Sequence, residues 1–230
     1  KVQLRFVKPQ FDRKILRSIL VNGAPSFLNN IAGRITSIII NVFLLRLGGA
    51  TAVSAYGVLM YADGLVLPVL YGLCDSLQPA IGYNYGAKNY DRIRALERIC
   101  FSVCGVLSVV MTAVMILLKE PIVGMFVKAG DTELIAMSVH ALSLLAFGYL
   151  TRWISMATQS YMSAIGKAGQ ATIISLSVAL VFPVPFLFAL RSLGLDGLWL
   201  NMPFTSLLAA VLAAGFLWSH SRKEAKETHL

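Results

Sequence analysis

Long apolar runs broken by short polar clusters set the pattern of this chain. A helix needs about 20 residues, at about 1.5 Å each, to cross about 30 Å of hydrocarbon. Windows of that kind recur six times. The first runs from about Pro25 to Leu47, with Pro25 placed for a first helical turn and Gly48–Gly49 as the stop. The second begins near Thr51 and extends to about Tyr85, longer than one crossing needs. It is expected to tilt, to kink at Pro68 and Pro79, and to leave the bilayer near Gln78. The third, Ile99 to Leu118, carries no charge. The fourth spans about Leu134 to Thr151 and continues past Arg152 to Ile165. The fifth, Ala168 to Leu190, contains Pro183 and Pro185, and the sixth runs from Gly197 to Ser219. The expected fold class is all-α, a polytopic membrane bundle of six transmembrane helices spanning residues 23–220.

Polar segments flank these runs. Residues 1–22 form a basic amphipathic lead-in: Phe11, Ile15, Ile19 and Leu20 recur at helical spacing with Arg13, Lys14 and Arg17 between them. An interfacial helix on an anionic membrane face is expected there. Residues 221–230 read as a polar cytoplasmic tail. Fourteen of the twenty Lys and Arg fall on the side of the two ends and of the 88–98 and 167 loops; four fall on the other side, and Arg34 and Arg152 lie within spans. That bias makes the first side cytoplasmic, with both termini there, in a plasma (inner) membrane.

Composition agrees with a lipid environment. Of 230 residues, 57% are hydrophobic and only 13% charged, too few charges to cover a water-soluble domain of this size. The net charge of +9 does not indicate nucleic acid, because the basic residues form loop clusters rather than one polar face.

Polar groups at membrane depth are costly and are kept inward, paired or hydrated. In the first span Asn30, Arg34, Ser37 and Asn41, spaced by four, three and four, share one helix face, with Asn29 beside them. In the second, Tyr56 and Asp63 are seven apart on one face. Asp63 has two readings: a cation or proton site, or a structural partner of Arg34 on the neighbouring helix. In the fourth span Thr151, Ser155, Thr158 and Met162 share a face, with Gln159 adjacent. Hydroxyl residues there serve either as helix–helix glue or as a substrate path, and glue is the commoner role. His140 stands without a second His or Cys nearby and reads as a hydrogen-bonded interior residue. Cys100 and Cys104 share a helix face, and with Cys74 they read as buried structural thiols, not a metal site. The chain contains no phosphate-binding loop, no His-Glu-x-x-His and no nucleophile elbow, so no enzyme is expected.

At the end of the second span stands Gln78-Pro79-Ala80-Ile81-Gly82-Tyr83-Asn84-Tyr85-Gly86-Ala87-Lys88-Asn89-Tyr90. Pro79 frees a backbone carbonyl, while Gly82 and Gly86 allow close approach and a turn. This string resembles the multidrug and toxic compound extrusion (MATE) family of transporters. Gly23-Ala24-Pro25-Ser26-Phe27-Leu28, Gly48-Gly49 with Ala55-Tyr56-Gly57, Pro121-Ile122-Val123 with Phe126, and Ser163-Ala164-Ile165-Gly166-Lys167 resemble further family segments in order. The resemblance covers essentially residues 11–220.

The resemblance implies a twelve-helix protein of two six-helix lobes that expels organic cations in exchange for protons or sodium. This chain would be the carboxy-terminal lobe, residues 1–22 the linker, and the missing amino-terminal lobe its partner: a fragment, or a half-transporter. No cofactor is implied beyond the coupling ion. Sodium-coupled members carry acids in the seventh and tenth helices, where this chain has Gly33 beside Arg34 and Met156–Ala157. Their absence speaks against a sodium site of that type here and leaves Asp63 as the local candidate. Two other readings are a lipid-linked oligosaccharide or polysaccharide flippase of related architecture, which Arg34 and Arg152 favour, and a non-transporting membrane scaffold.

Overall fold

The computed structural model describes the backbone of residues 12–228 and the side chains of 12–17 and 27–222. The described residues are helical with no strand. Helix α1 (Arg13–Ser76) is broken at Gly49, whose φ of 65° and ψ of −158° lie where essentially only glycine is relaxed. The break folds α1 into a hairpin. Ser37 on the first arm and Tyr56 on the second line one cavity, two positions that a continuous helix would hold about 28 Å apart.

Helices α2 (Gln78–Gly86), α3 (Tyr90–Leu117) and α4 (Lys119–Gly124) follow. Helices α5 (Thr132–Ala146) and α6 (Tyr149–Ala164) are bent by 53° at their junction. Helix α7 (Ala168–Leu176) passes through a wide turn at Ser177–Val181 into α8 (Pro183–Ala189), and α9 (Leu195–Thr228) closes the bundle. The two arms of α1, then α3, the α5–α6 pair, the α7–α8 pair and α9 make six apolar crossings.

Several boundaries differ from the sequence reading. Residues 1–11 lie outside the described residues, but from Arg13 the chain is already in α1. Pro25 is inside the helix rather than in its first turn. Pro68 does not interrupt the second arm, which ends at Ser76. Pro79 instead occupies the first turn of α2, where its missing N–H costs nothing. At the other end α9 stays helical to Thr228.

The core lies between the second arm of α1, α3, α5 and α6, around Leu59, Leu70, Met115, Leu142 and Tyr149. A smaller cluster, Ile81, Ile93, Tyr161, Met162, Ile165 and Ala171, packs under α2. The outward faces are apolar: Ile38, Leu45, Val106 and Val211 are each about 60% exposed, side chains suited to lipid rather than water.

Candidate functional site

The two arms of α1, α6, the α7–α8 pair and α9 enclose a cavity of about 540 Å³. Asn30, Arg34, Ser37, Tyr56, Asp63, Ser155 and Gln159 all line it. Two other predicted positions do not. Asn41 turns its amide to the Ser37 carbonyl (2.8 Å), and the Thr151 hydroxyl lies 3.4 Å from the Gly148 carbonyl. A one-turn spacing aligned Asn41 with the stripe, but the hydrogen bond along its own helix satisfies it there.

Asp63 is buried and has two partners. The Tyr149 hydroxyl donates to Oδ1 at 2.7 Å, and the Arg152 guanidinium faces Oδ2 at 3.5 Å. The expected pairing with Arg34 is therefore replaced by one with α6. The bend between α5 and α6 places both partners: Tyr149 begins α6 and Arg152 stands three residues on, so both reach the same carboxylate. Arg152 also points at the Met202 sulfur, 3.6 Å away. Arg34 stays exposed on the cavity wall.

The opposite wall is built by a broken helix. Pro183 has no N–H and cannot pack over a regular turn, so the chain widens before it: the Phe182 N–H bonds the Ser177 carbonyl, five residues back. The Ala179 carbonyl, four residues before Pro183, is left over and accepts the Thr36 hydroxyl at 2.6 Å. The Pro183 carbonyl accepts the Asn201 amide at 2.8 Å, and the Thr205 hydroxyl lies 3.4 Å from the Asn201 side-chain oxygen. Thr36, Ala179, Pro183, Asn201 and Thr205 all line the cavity. Irregular backbone at this depth is tolerated where it faces a cavity and its polar groups are met.

Sequence reasoning missed Thr36, Tyr149, Asn201 and Thr205. Asn201 and Thr205, four apart on α9, carried a readable signal, but the sixth span was weighed by charge and not by neutral amides and hydroxyls.

The Gln78–Tyr90 string lies away from the cavity. Gln78 donates to Asp75 (2.7 Å) and Ser160 (3.0 Å), and the Ser160 hydroxyl bonds the Cys74 carbonyl at 2.9 Å, tying the end of α1 to α6. A Cβ on Gly82 would come within 3.3 Å of the Ala164 carbonyl, the close approach expected. Buried Asn84 bonds the Ala80 carbonyl, and exposed Tyr83 faces outward. Gly86 is not the turn residue: the left-handed position is Lys88, with φ of 57°.

His140 is not interior. It lies half-exposed, 2.8 Å from Asp196 at the start of α9. Thr158 is fully buried, and its hydroxyl has no hydrogen-bond partner among the described residues. Cys74, carried by a different helix, joins Cys100 and Cys104 in one buried cluster.

Fold and site define a class: a six-crossing α-helical membrane lobe enclosing a polar cavity. The chain belongs to the MatE family, whose model matches residues 25–189; its members are transporters, not enzymes. The Multidrug export protein MepA of Staphylococcus aureus is 26% identical over 213 residues, covering 92% of this chain and 46% of that protein. Two solved structures of a multidrug resistance MATE family transporter of the MOP superfamily share the fold. In the outward-facing conformation the TM-score is 0.82 at 23% identity, over 94% of this chain and 48% of that one. In the inward-facing conformation it is 0.78 at 22% identity, over 95% and 50%. The chain thus spans about half the length of the proteins it matches.

Proposed function

We propose that this chain is the carboxy-terminal lobe of a secondary antiporter that expels organic cations in exchange for protons or sodium. Its amino-terminal lobe supplies the other wall of the substrate path. The two lobes rock around a midplane site, opening it alternately to each face of the membrane. The likeness of one half-length fold to both outward- and inward-facing structures supports a lobe that moves as a unit. The name of the MepA relative supports drugs as the cargo. Loop charge supports a plasma-membrane orientation with both termini cytoplasmic.

The observation that carries the reading is Asp63, a buried carboxylate on the cavity wall held by Arg152 and Tyr149. A cationic substrate and a coupling ion compete for that carboxylate, and binding one releases the other. Such mutual exclusion is what exchange requires. A flippase cavity would be strongly basic; here one of its two guanidiniums is taken up by Asp63.

The test is efflux of a cationic dye from vesicles containing the full-length protein, driven separately by a proton gradient and by a sodium gradient. Efflux under one gradient, slowed by Asp63→Asn, is expected. No gradient-driven efflux would contradict the reading.

A further inference from the structure

The three cysteines of this chain converge from two helices. Cys74 comes from the second arm of α1, and Cys100 and Cys104 sit one turn apart on α3. Their exposures are 2%, 5% and 0%. The Cys74 and Cys104 sulfurs are 3.5 Å apart, those of Cys100 and Cys104 4.0 Å, and all three lie within 4.8 Å of one another.

The surrounding stripe on α3 behaves differently. Ser108 and Thr112, the next two buried polar positions at four-residue spacing, satisfy themselves on backbone carbonyls: Ser108 on that of Tyr149, Thr112 on those of Ser108 and Ala146. The thiols instead point at one another, with no carbonyl acceptor shown for them among the described residues. A metal ion held at about 2.3 Å by three sulfurs in one plane separates them by about 4 Å. The two shortest spacings, 3.5 and 4.0 Å, lie within about half an ångström of that value. Thiolate donors select soft ions and reject magnesium and calcium, which take oxygen ligands.

We infer that Cys74, Cys100 and Cys104 form a binding site for a soft divalent d10 cation of the zinc–cadmium–mercury class. All three thiols lose their protons to solvent as the ion enters, because the thiolate is the metal ligand and a coordinating thiol is deprotonated outright. Three thiolates on a 2+ ion leave one net negative charge on the complex. Occupancy pins the end of α1 to α3. The site stands apart from the cavity and does not depend on the transport reading.

The experiment is titration of the reduced full chain, purified in detergent, with cadmium chloride alone. One ion per chain, a thiolate-to-cadmium charge-transfer band in the ultraviolet, release of three protons per ion and no competition from excess magnesium are expected. Cys74→Ser, which nearly keeps the side-chain volume, should weaken binding by more than the roughly 10–100-fold that losing an outer-shell partner costs. Bound cadmium should also protect all three thiols from alkylation in the unaltered chain, a readout that needs no variant. Absence of the band in a chain of intact helicity, or a band and affinity unchanged in Cys74→Ser, would overturn the assignment.

Discussion

The Tyr149 hydroxyl donates to the Asp63 carboxylate at 2.7 Å, across 86 residues of sequence. With Arg152 on the other oxygen, at 3.5 Å, the carboxylate has a partner on each side. Breaking a fully buried ion pair by removing one partner costs about 3–5 kcal/mol, because the other charge is left uncompensated. This pair lines a cavity, and its side chains keep 15% and 10% exposure, so a smaller penalty is expected. Arg152→Gln or Asp63→Asn alone should each lower stability by about 1–3 kcal/mol. The double variant should cost clearly less than the sum of the two. A double-mutant cycle on thermal midpoints in detergent measures the coupling; strict additivity would mean that the two charges do not interact.

Gly49 tests the hairpin. Its backbone lies in a region that side chains resist, at a cost of about 1–3 kcal/mol. Gly49→Ala should lower the thermal midpoint accordingly. Gly57→Ala is the control. A Cβ there meets nothing within 4 Å, and alanine in a helix is favoured over glycine by roughly 0.5–1 kcal/mol. Opposite signs for the two substitutions are predicted.

The Gln78 string predicts an asymmetry. Ser160 is buried and joins α6 to the Cys74 carbonyl, while Gln78 reaches the same serine from a partly exposed position. Ser160→Ala leaves that carbonyl without its side-chain donor and should cost about 1–3 kcal/mol. Gln78→Ala leaves the Ser160–Cys74 bond in place and should cost less. Equal losses in melting experiments would assign the motif a different role.

His140 and Asp196 form a surface pair with 58% exposure on each side. Exposed pairs contribute about 0–1 kcal/mol. Asp196→Asn should change the thermal midpoint little and leave dye efflux by the full-length protein intact.

Much of this architecture is legible in the sequence, for a physical reason. A crossing helix must be apolar over about 20 residues, and that demand writes itself into every span. The Gly48–Gly49 stop was readable because glycine tolerates the backbone that a sharp reversal needs. Less visible was the 53° bend at Phe147–Gly148. A Cβ on Gly148 would come within 3.5 Å of the Pro203 backbone of α9, so the bend depends on a neighbour that periodicity does not see. The same limit explains the partner of Asp63. Arg34 was the nearest cation in the adjacent span, whereas Arg152 is 89 residues away and reaches the carboxylate only through that bend. The polar stripe of the first span was located by spacing, but spacing does not separate Ser37, on the cavity wall, from Asn41, bonded back to its own helix.

That last contrast gives the most direct measurement. In the full-length protein in membranes, Ser37→Cys and Asn41→Cys are each exposed to a membrane-impermeant thiol reagent, and modification is read at each site by mass spectrometry. If the cavity is a wet transport path, the cysteine at position 37 is labelled and a cationic substrate protects it, while the one at 41 reacts far more slowly. If neither site reacts, or both react alike and substrate protects neither, the cavity is not the path and the proposed transport site is wrong.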